Sequence, residues 1–295
     1  MNGILFAATV LIWGTTWIAI AFQVGPVPVL VSVFYRFALA AMVLLAGLAL
    51  AGRLKVPAGR DRIWIAAQAL CLFSLNFICF YTAAGYIPSG LISVIFSLAT
   101  LFNAVNARVF FGERITSRAV LASALGVCGL VLLFGQELRS QHSAGTLTGI
   151  ALACAGTMLF SLGNMVSRRN SAAGIAPVMA NAWGMGCGAG ILLGLIAVTG
   201  TPIMAPPDGV YLAALLYLAV IGSVVGFTTY LMLVARMGSA RAAYATVLFP
   251  IVALALSTAL EGYVWHWQGV VGLGLALLGN LVMFTRPRLA KAVPA

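Results

Sequence analysis

The chain has 295 residues, of which 63% are hydrophobic and only 7% charged, and its formal net charge is +11. A soluble domain keeps about a quarter of its residues charged, because its surface must face water. The composition therefore excludes an ordinary soluble protein and favours one whose surface meets lipid. Within a bilayer only helices and closed barrels satisfy their backbone hydrogen bonds, and long apolar runs without alternation favour helices.

Ten apolar runs follow one another along the chain, each close to the length of about 20 residues that crosses a bilayer. Transmembrane helices are predicted at 3–21, 29–50, 63–84, 90–111, 117–135, 146–167, 176–199, 209–235, 239–260 and 266–285. Turn sequences such as Gly25-Pro26 and Pro206-Pro207 separate them. The pattern predicts an all-α integral membrane protein without a soluble domain.

Basic residues are concentrated at one end of the predicted helices, the end that holds the N-terminus, which is named the basic face here. Of the 16 basic residues, the 14 on this face are Arg53, Lys55, Arg60, Arg62, Arg108, Arg114, Arg118, Arg168, Arg169, Arg236, Arg241, Arg286, Arg288 and Lys291. Arg139 lies on the opposite, outer face, and Arg36 lies inside the second run. The positive-inside rule makes the basic face cytoplasmic, so both termini are predicted to be cytoplasmic. The positive charge is thereby assigned to the membrane surface, and no nucleic-acid partner is expected.

An internal repeat divides the chain into two halves. Residues of the same type recur 148 positions apart, namely Gly90 and Gly238, Glu113 and Glu261, Gly126 and Gly274, Leu130 and Leu278, and Leu133 and Leu281. The pattern predicts a first five-helix repeat at 1–140 and a second at 146–288. Because five is odd, the second repeat enters the membrane from the opposite face. Alternating-access transporters use this inverted arrangement.

Reactive groups are missing from the centres of the runs. All the acidic residues and histidines lie at or near predicted loops, namely Asp61, Glu113, Glu137, His142, Asp208, Glu261 and His266. A metal cluster, a catalytic triad and a carboxylate relay within the membrane are therefore not expected. The sequence predicts no enzyme activity and no cofactor.

Aromatic and amide side chains at mid-depth are candidates for lining a solute pathway, with helix packing as the alternative for each. An interfacial aromatic belt does not explain central rings, and a central amide needs a partner or a cavity. The candidates are Trp13, Trp17, Asn76, Phe80, Tyr81, Phe160, Asn164, Tyr230 and Tyr244. Pro250 is predicted to kink the ninth helix, either as a structural bend or as a cavity-lining hinge. Arg36 lies about 10 Å inside the second run and either faces a cavity or partner, or extends to the outer surface.

Several motifs resemble the EamA-type exporters of the drug/metabolite transporter superfamily. They are 11–17 (LIWGTTW), 35–41 (YRFALAA), 111–116 (FGERIT), Phe249-Pro250 and Leu260-Glu261-Gly262, the last with Glu and Gly in reversed order. The resemblance covers the whole chain and implies ten helices in two repeats. It also implies that helices 1, 3, 4, 6, 8 and 9 surround a central cavity, while helices 5 and 10 form a scaffold.

Within that family the chain is most similar to YddG-type bacterial exporters of aromatic and other amino acids. The resemblance implies a multi-pass exporter of the bacterial inner membrane that moves small solutes, above all aromatic and other neutral amino acids, by alternating access. The candidate rings, the amides and the backbone near Pro250 would bind the solute, and Arg36 would act at a gate or mouth. Broad drug or metabolite efflux is an alternative, and a membrane binding or sensor protein without flux is a different class. The expected partners are the solute and lipid, and the oligomeric state stays open, with a monomer compatible.

Overall fold

The computed structural model describes residues 2–135, 143–237 and 245–284, and these residues form helices joined by short loops. The helices are α1 (Asn2–Ala21), α2 (Val29–Leu50), α3 (Gly59–Ala83), α4 (Ser89–Phe111), α5 (Ser117–Phe134), α6 (Ser143–Ala172), α7 (Pro177–Thr199), α8 (209–237), α9 (Ala245–Leu260) and α10 (Trp267–Phe284). The all-α prediction is confirmed for this part of the chain, and most predicted ends agree within a few residues. Eight of these helices are long and apolar enough to cross a membrane, whereas α9 and α10 are shorter apolar helices as far as they are described.

Local turn chemistry determines where several helices begin and end. α4 is followed by Gly112, whose φ of +69° lies in the left-handed region that favours glycine. The side chain of Thr116 accepts a hydrogen bond from the backbone N–H of Ala119 and caps the start of α5. Asp208 caps the start of α8 in the same way. The loops are therefore short and specified by local residues.

Two helices contain a π-helical segment near their middle, Cys71–Leu75 in α3 and Tyr217–Val225 in α8. The hydroxyls of Ser74 and Ser223 donate to the carbonyl five residues earlier, at 3.1 and 2.8 Å. Such segments are rare and often mark functional sites. The hydropathy pattern predicts continuous helices here and does not reveal the segments, because both helix types bury the same apolar side chains.

The helix pairs that pack together follow a regular scheme. α1 packs on α9 and α6 on α4; α3 packs on α6 and α8 on α1; α2 packs on α7 and α5 on α10. When five is added to or subtracted from both helix numbers of a pair, the result is another pair of the set or the same pair. Along α5 and α10 the contacts run in opposite directions, with Gly129 against Gly272 and Ala122 against Gly279. These two helices are therefore antiparallel.

Gly129 lies at the closest approach of α5 and α10. A Cβ atom at this position would lie 2.5 Å from the carbonyl oxygen of Gly272 and 2.9 Å from the backbone nitrogen of Ala276. Backbone atoms cannot rotate away, so Gly129→Ala should separate the helices and lower the free energy of unfolding by about 1–3 kcal/mol. Gly274→Ala in α10 is the control, because its Cβ meets nothing within 4 Å. Thermal unfolding in detergent should separate the two variants, and equal melting temperatures would contradict the close crossing.

Candidate functional site

A cavity of about 630 Å³, named the large cavity here, opens at the basic face. Its walls come mainly from α4 and α6, with smaller contributions from α1, α7 and α8, and its mouth includes Glu113, Arg114 and Arg168. The lining is mostly apolar, with the amides of Asn103 and Asn164 among the polar exceptions. Pockets for small organic ligands have this size and this mixture of surfaces.

Ion pairs surround the mouth of the large cavity. Arg168 Nη2 lies 2.6 Å from Glu113 Oε1, and both side chains are half exposed. The guanidinium of Arg168 also lies 4.2 Å from the ring centroid of Phe111. Nearby, Arg169 pairs with the buried Asp61 at 2.8 Å and joins α6 to α3. An exposed pair contributes about 1 kcal/mol or less, so the Glu113–Arg168 contact can break during a conformational change.

A row of polar side chains joins α4 to α6 beside the large cavity. Asn103 Oδ1 accepts hydrogen bonds from Ser161 Oγ at 2.8 Å and from Asn164 Nδ2 at 3.3 Å. Asn106 Nδ2 donates to the same serine at 2.9 Å. The sequence prediction identified Asn164 and missed Asn103 and Asn106. Polar side chains between membrane helices hold them together, and Asn103 and Asn164 also border the cavity.

Five aromatic rings pack together at the inner end of the large cavity, which Phe96 and Phe160 line directly. This aromatic layer consists of Trp17, Phe80, Phe96, Phe160 and Phe249. Phe96 is at its centre, with its ring centroid 4.6 Å from that of Phe160 and 5.6 to 5.8 Å from the other three. The sequence prediction missed Phe96, although it lies at mid-depth in a helix that the resemblance assigned to the cavity wall.

Beyond the aromatic layer lies a second cavity of about 70 Å³, named the small chamber here. Arg36 and Asn76 are among its lining residues, and Trp13 and Phe160 line both cavities. Arg36 is only 3% exposed, and its Nε donates to Ser223 Oγ at 3.3 Å. Its guanidinium carbon lies 4.4 Å from the ring centroid of Phe77. Arg36 therefore faces the interior of the bundle and does not extend to the outer surface.

Helices α4 and α9 are in contact at the end of the bundle opposite the basic face. Glu261, at the end of α9, accepts hydrogen bonds from the backbone N–H of Ser89 at 3.0 and 3.1 Å and from its hydroxyl at 2.6 Å. A Cβ at the adjacent Gly90 would lie only 2.9 Å from Leu254 Cα, so α4 and α9 touch there. Glu261 thus lies at the start of α4, whereas Glu113 follows its end. Among the described residues, those that line the large cavity extend to the basic face and not to this contact.

Most of the sequence-predicted site residues come together around these two cavities. They are Trp13, Trp17, Arg36, Asn76, Phe80, Phe160, Asn164 and Tyr230. Phe227, which the sequence prediction missed, lines both cavities as well. The rings of Trp13 and Tyr230 are in contact, with centroids 4.8 Å apart.

Two of the predicted residues that the structure describes line neither cavity. Tyr81 is buried and lines neither cavity, although it lies close to Arg36, and its hydroxyl donates to Gln23 Oε1 at 2.8 Å. Pro250 is buried inside α9, which continues through it, and its neighbour Phe249 lines the small chamber instead. Tyr244 lies outside the described residues.

Comparison with known proteins identifies the class to which this architecture belongs. A model of the EamA-like transporter family matches residues 1–135 and 147–285. The chain belongs to the EamA-like transporter family. This membership confirms the resemblance seen in the short motifs, and the protein is a membrane transporter.

Relatives of this EamA-like transporter align over nearly the whole chain. It is 28% identical to the "Uncharacterized inner membrane transporter YedA" of Escherichia coli (strain K12), over 99% of this chain and 95% of that protein. It is 24% identical to the "Probable amino-acid metabolite efflux pump" of the same organism, over 88% and 86% of the two chains. A solved crystal structure matches with a TM-score of 0.65 at 18% identity and covers 95% of both chains, which shows a shared fold.

The cavity walls of this EamA-like transporter can be compared with those that the resemblance implied. Helices α1, α3, α4, α6, α8 and α9 all contribute to one or both cavities. α5 and α10 pack on each other and contribute only Ala119 and Met283. The resemblance did not imply the contributions of α2, which supplies Arg36 to the small chamber, and of α7, which supplies Pro177 and Asn181 to the large cavity.

Proposed function

We propose that this EamA-like transporter is a multi-pass inner-membrane exporter of small amino-acid-like solutes that works by alternating access. Aromatic and other neutral amino acids are the favoured substrates. The observation that carries the proposal is the large cavity, which opens at the basic face and ends at an aromatic layer, with α4 and α9 joined at the opposite end. The names of the two Escherichia coli relatives support an inner-membrane location and an amino-acid-like substrate.

Export would begin when a solute enters the large cavity from the cytoplasm. Its apolar part would contact Trp13, Tyr230 and the aromatic layer, while Asn164 would offer a hydrogen bond. The contacts at Glu261 and Ser89 would then break, and the mouth near Glu113 would close. The half-exposed Glu113–Arg168 pair suits such a change because it opposes little rearrangement.

Two inverted five-helix halves, at 1–140 and 146–288, are part of this proposal. The helix pairs are related by a shift of five helices, and α5 and α10 are antiparallel. A shift of 148 residues carries the π-helical segment at 71–75 onto 219–223, inside the second π-helical segment. An inverted repeat of this kind would make the two gates structurally equivalent.

Labelling from each face tests the proposed topology. The basic-residue bias and the odd number of helices per repeat put both termini and Glu113 on the cytoplasmic face, and Glu261 on the outer face. Glu113→Cys and Glu261→Cys, made singly in a cysteine-free background, should react with an impermeant thiol reagent from opposite faces. A reagent added outside right-side-out vesicles should label position 261 and spare position 113. Labelling of both from one face would contradict the inversion.

The direct test of the function is flux of radiolabelled solutes in proteoliposomes. Among the described acidic residues none lies deep between the helices, since Asp61, Glu113, Asp208 and Glu261 are at helix ends. We therefore expect transport down a solute gradient without an imposed ion gradient. A panel of neutral and charged amino acids should give counterflow for aromatic and other neutral members, with empty liposomes as the control.

Two results would overturn this function in different ways. Transport of structurally unrelated cationic dyes as fast as amino acids would favour broad drug efflux by the same fold. Binding without counterflow for every solute would favour a sensor or binding protein. Repeated accumulation of an amino acid driven by a pH difference would contradict only the uncoupled mechanism.

A further inference from the structure

The small chamber contains a buried positive charge without an acidic partner among the described residues. Arg36 is 3% exposed, so its guanidinium is almost completely removed from water. Its ion-pair partners would have to be carboxylates, and the described ones lie at the ends of the helices. The contacts with Ser223 and the ring of Phe77 offset only part of the desolvation of this charge.

Unpaired hydrogen-bonding atoms lie in the same chamber. Nη1 of Arg36 has no hydrogen-bond partner, and neither the Nδ2 nor the Oδ1 of Asn76 has one. Both residues line the chamber, and Asn76 is fully buried. Buried polar groups are normally satisfied, so a cluster of unsatisfied ones indicates a place for a polar ligand. Arg36 and Asn76 each have an N–H donor without a partner, whereas the hydroxyl of Thr16, which also lines the chamber, donates to the carbonyl of Trp13 at 2.7 Å.

The dimensions of the chamber restrict what it can hold. About 70 Å³ exceeds the 10–15 Å³ that a single water molecule requires, and it fits a small planar group better than a whole aromatic amino acid. The chamber adjoins the aromatic layer, and Trp13, Leu72, Phe96, Phe160 and Phe227 line both cavities. These side chains separate the two cavities, so a solute with a charged head and an apolar body would extend from one into the other when the rings between them move apart.

We propose that the small chamber is a carboxylate-binding site, in which Arg36 and Asn76 bind the carboxylate of the exported solute. The inference rests on the proposed function in taking the carboxylate to belong to that solute. Guanidinium is the side-chain group that best matches the planar geometry of a carboxylate, because it offers paired donors. The solute would enter from the cytoplasm with its carboxylate leading and its apolar part among the rings.

The site also connects the carboxylate to the two π-helical segments. Arg36 is held by Ser223, which belongs to the segment in α8, and Asn76 directly follows the segment in α3. Arg36 itself comes from α2, which packs along α8 and α7. Occupation of the chamber would thus act on both halves of the transporter at once. A carboxylate would bias the conformational change if it bound the two conformations unequally.

Matched ligands that differ only at the carboxylate test the site. The purified wild-type protein is assayed by competition against radiolabelled phenylalanine and leucine, with phenylalaninamide, leucinamide and phenethylamine as competitors. The amides and the amine keep the side chain and the ammonium group and lose the negative charge. They should bind about tenfold to a hundredfold more weakly than the acids, the range expected for loss of a hydrogen bond between charged groups.

Variants of Arg36 and Asn76 test whether these residues cause the preference for acids over amides. Arg36→Gln should reduce the affinity for the acids to that for the amides, Arg36→Lys should retain part of the preference, and Asn76→Ala should weaken acid binding less than Arg36→Gln does. Arg53→Gln removes a charge from an exposed loop and is the control. Melting temperatures verify that each variant is folded, and Asn76→Ala provides an independent test if one Arg36 variant does not fold.

The possible outcomes separate the carboxylate site from the transport function. Three binding results would overturn the site. The wild type could bind acids and amides equally, the folded protein could bind neither acid, or Arg36→Gln could keep the full preference for acids. Equal flux of phenylalanine and its amide would also overturn it, while leaving the exporter proposal intact. Binding of the acids that depends on Arg36 but occurs without flux would support the site and contradict the exporter.

Discussion

Replacing Glu261 by alanine should let an impermeant reagent reach the cavity from the outer face at least about tenfold faster than in the native protein. The carboxylate accepts hydrogen bonds from the backbone and the hydroxyl of Ser89 and joins the end of α9 to the start of α4. A hydrogen bond to a charged group contributes about 1.5–3 kcal/mol, so its loss shifts an equilibrium by about tenfold or more. Without this contact the conformation with a closed outer end is less stable, so the outer end would be open for a larger fraction of the time.

The measurement uses a cysteine at Ser97, which lines the large cavity, in a background without the five native cysteines. Labelling rates are compared in right-side-out vesicles with the reagent outside. Glu113→Ala is the matched control, because it removes a carboxylate at the opposite end of α4 and leaves the contact between Glu261 and Ser89 in place. An unchanged rate in Glu261→Ala would show that this contact does not hold the outer end closed.

Replacing Trp13 by alanine should lower the rate of transport by about tenfold or more. Trp13 lines both cavities and packs against Tyr230 and Phe227, with ring centroids 4.8 and 5.6 Å apart. α8 approaches this ring at Gly226, where a Cβ would lie 2.8 Å from the indole nitrogen. Loss of so large an apolar contact removes about 1.5–3 kcal/mol of the interaction with a solute or its neighbouring rings.

The control for Trp13 is Trp267→Ala, because Trp267 is 70% exposed at the start of α10 and lines neither cavity. Counterflow in proteoliposomes, normalised to the folded protein incorporated, separates a defect in transport from a loss of yield. Normal transport by Trp13→Ala would remove the central residue of the proposed solute pathway. A loss of folded yield equal to the loss of transport would indicate a structural role.

The positions of the helices could be predicted because the bilayer requires long apolar runs and because turns interrupt them. The predicted second run, 29–50, has the same ends as the observed helix. Hydropathy does not distinguish the faces of such a helix, since it is apolar all round. Tyr81 illustrates the consequence. The sequence prediction chose Tyr81 and Phe80 together as pathway residues because both lie at mid-depth. The two neighbours point in different directions, however, and only Phe80 lines the small chamber.

The residues missed by the sequence prediction depend on tertiary packing. Phe96 and Asn103 face the large cavity because α4 packs beside α6, and nothing local distinguishes them from other residues of an apolar helix. The orientation of Arg36 was likewise open, because an arginine at that depth can reach either a cavity or the surface. The packing of α2 against α8 and α3 resolves it by placing Ser223 and Phe77 next to the guanidinium.

Alternating exposure of one cavity to both faces is tested most directly by labelling Ser97→Cys from each side of the membrane. Ser97 is 8% exposed and lies on the basic-face side of the aromatic layer, in the large cavity. Inside-out vesicles should label rapidly, right-side-out vesicles should label more slowly, and a transported amino acid should change the ratio of the two rates. Labelling from the cytoplasmic face alone, with and without solute and also in Glu261→Ala, would contradict a transport pathway and leave a one-sided binding pocket.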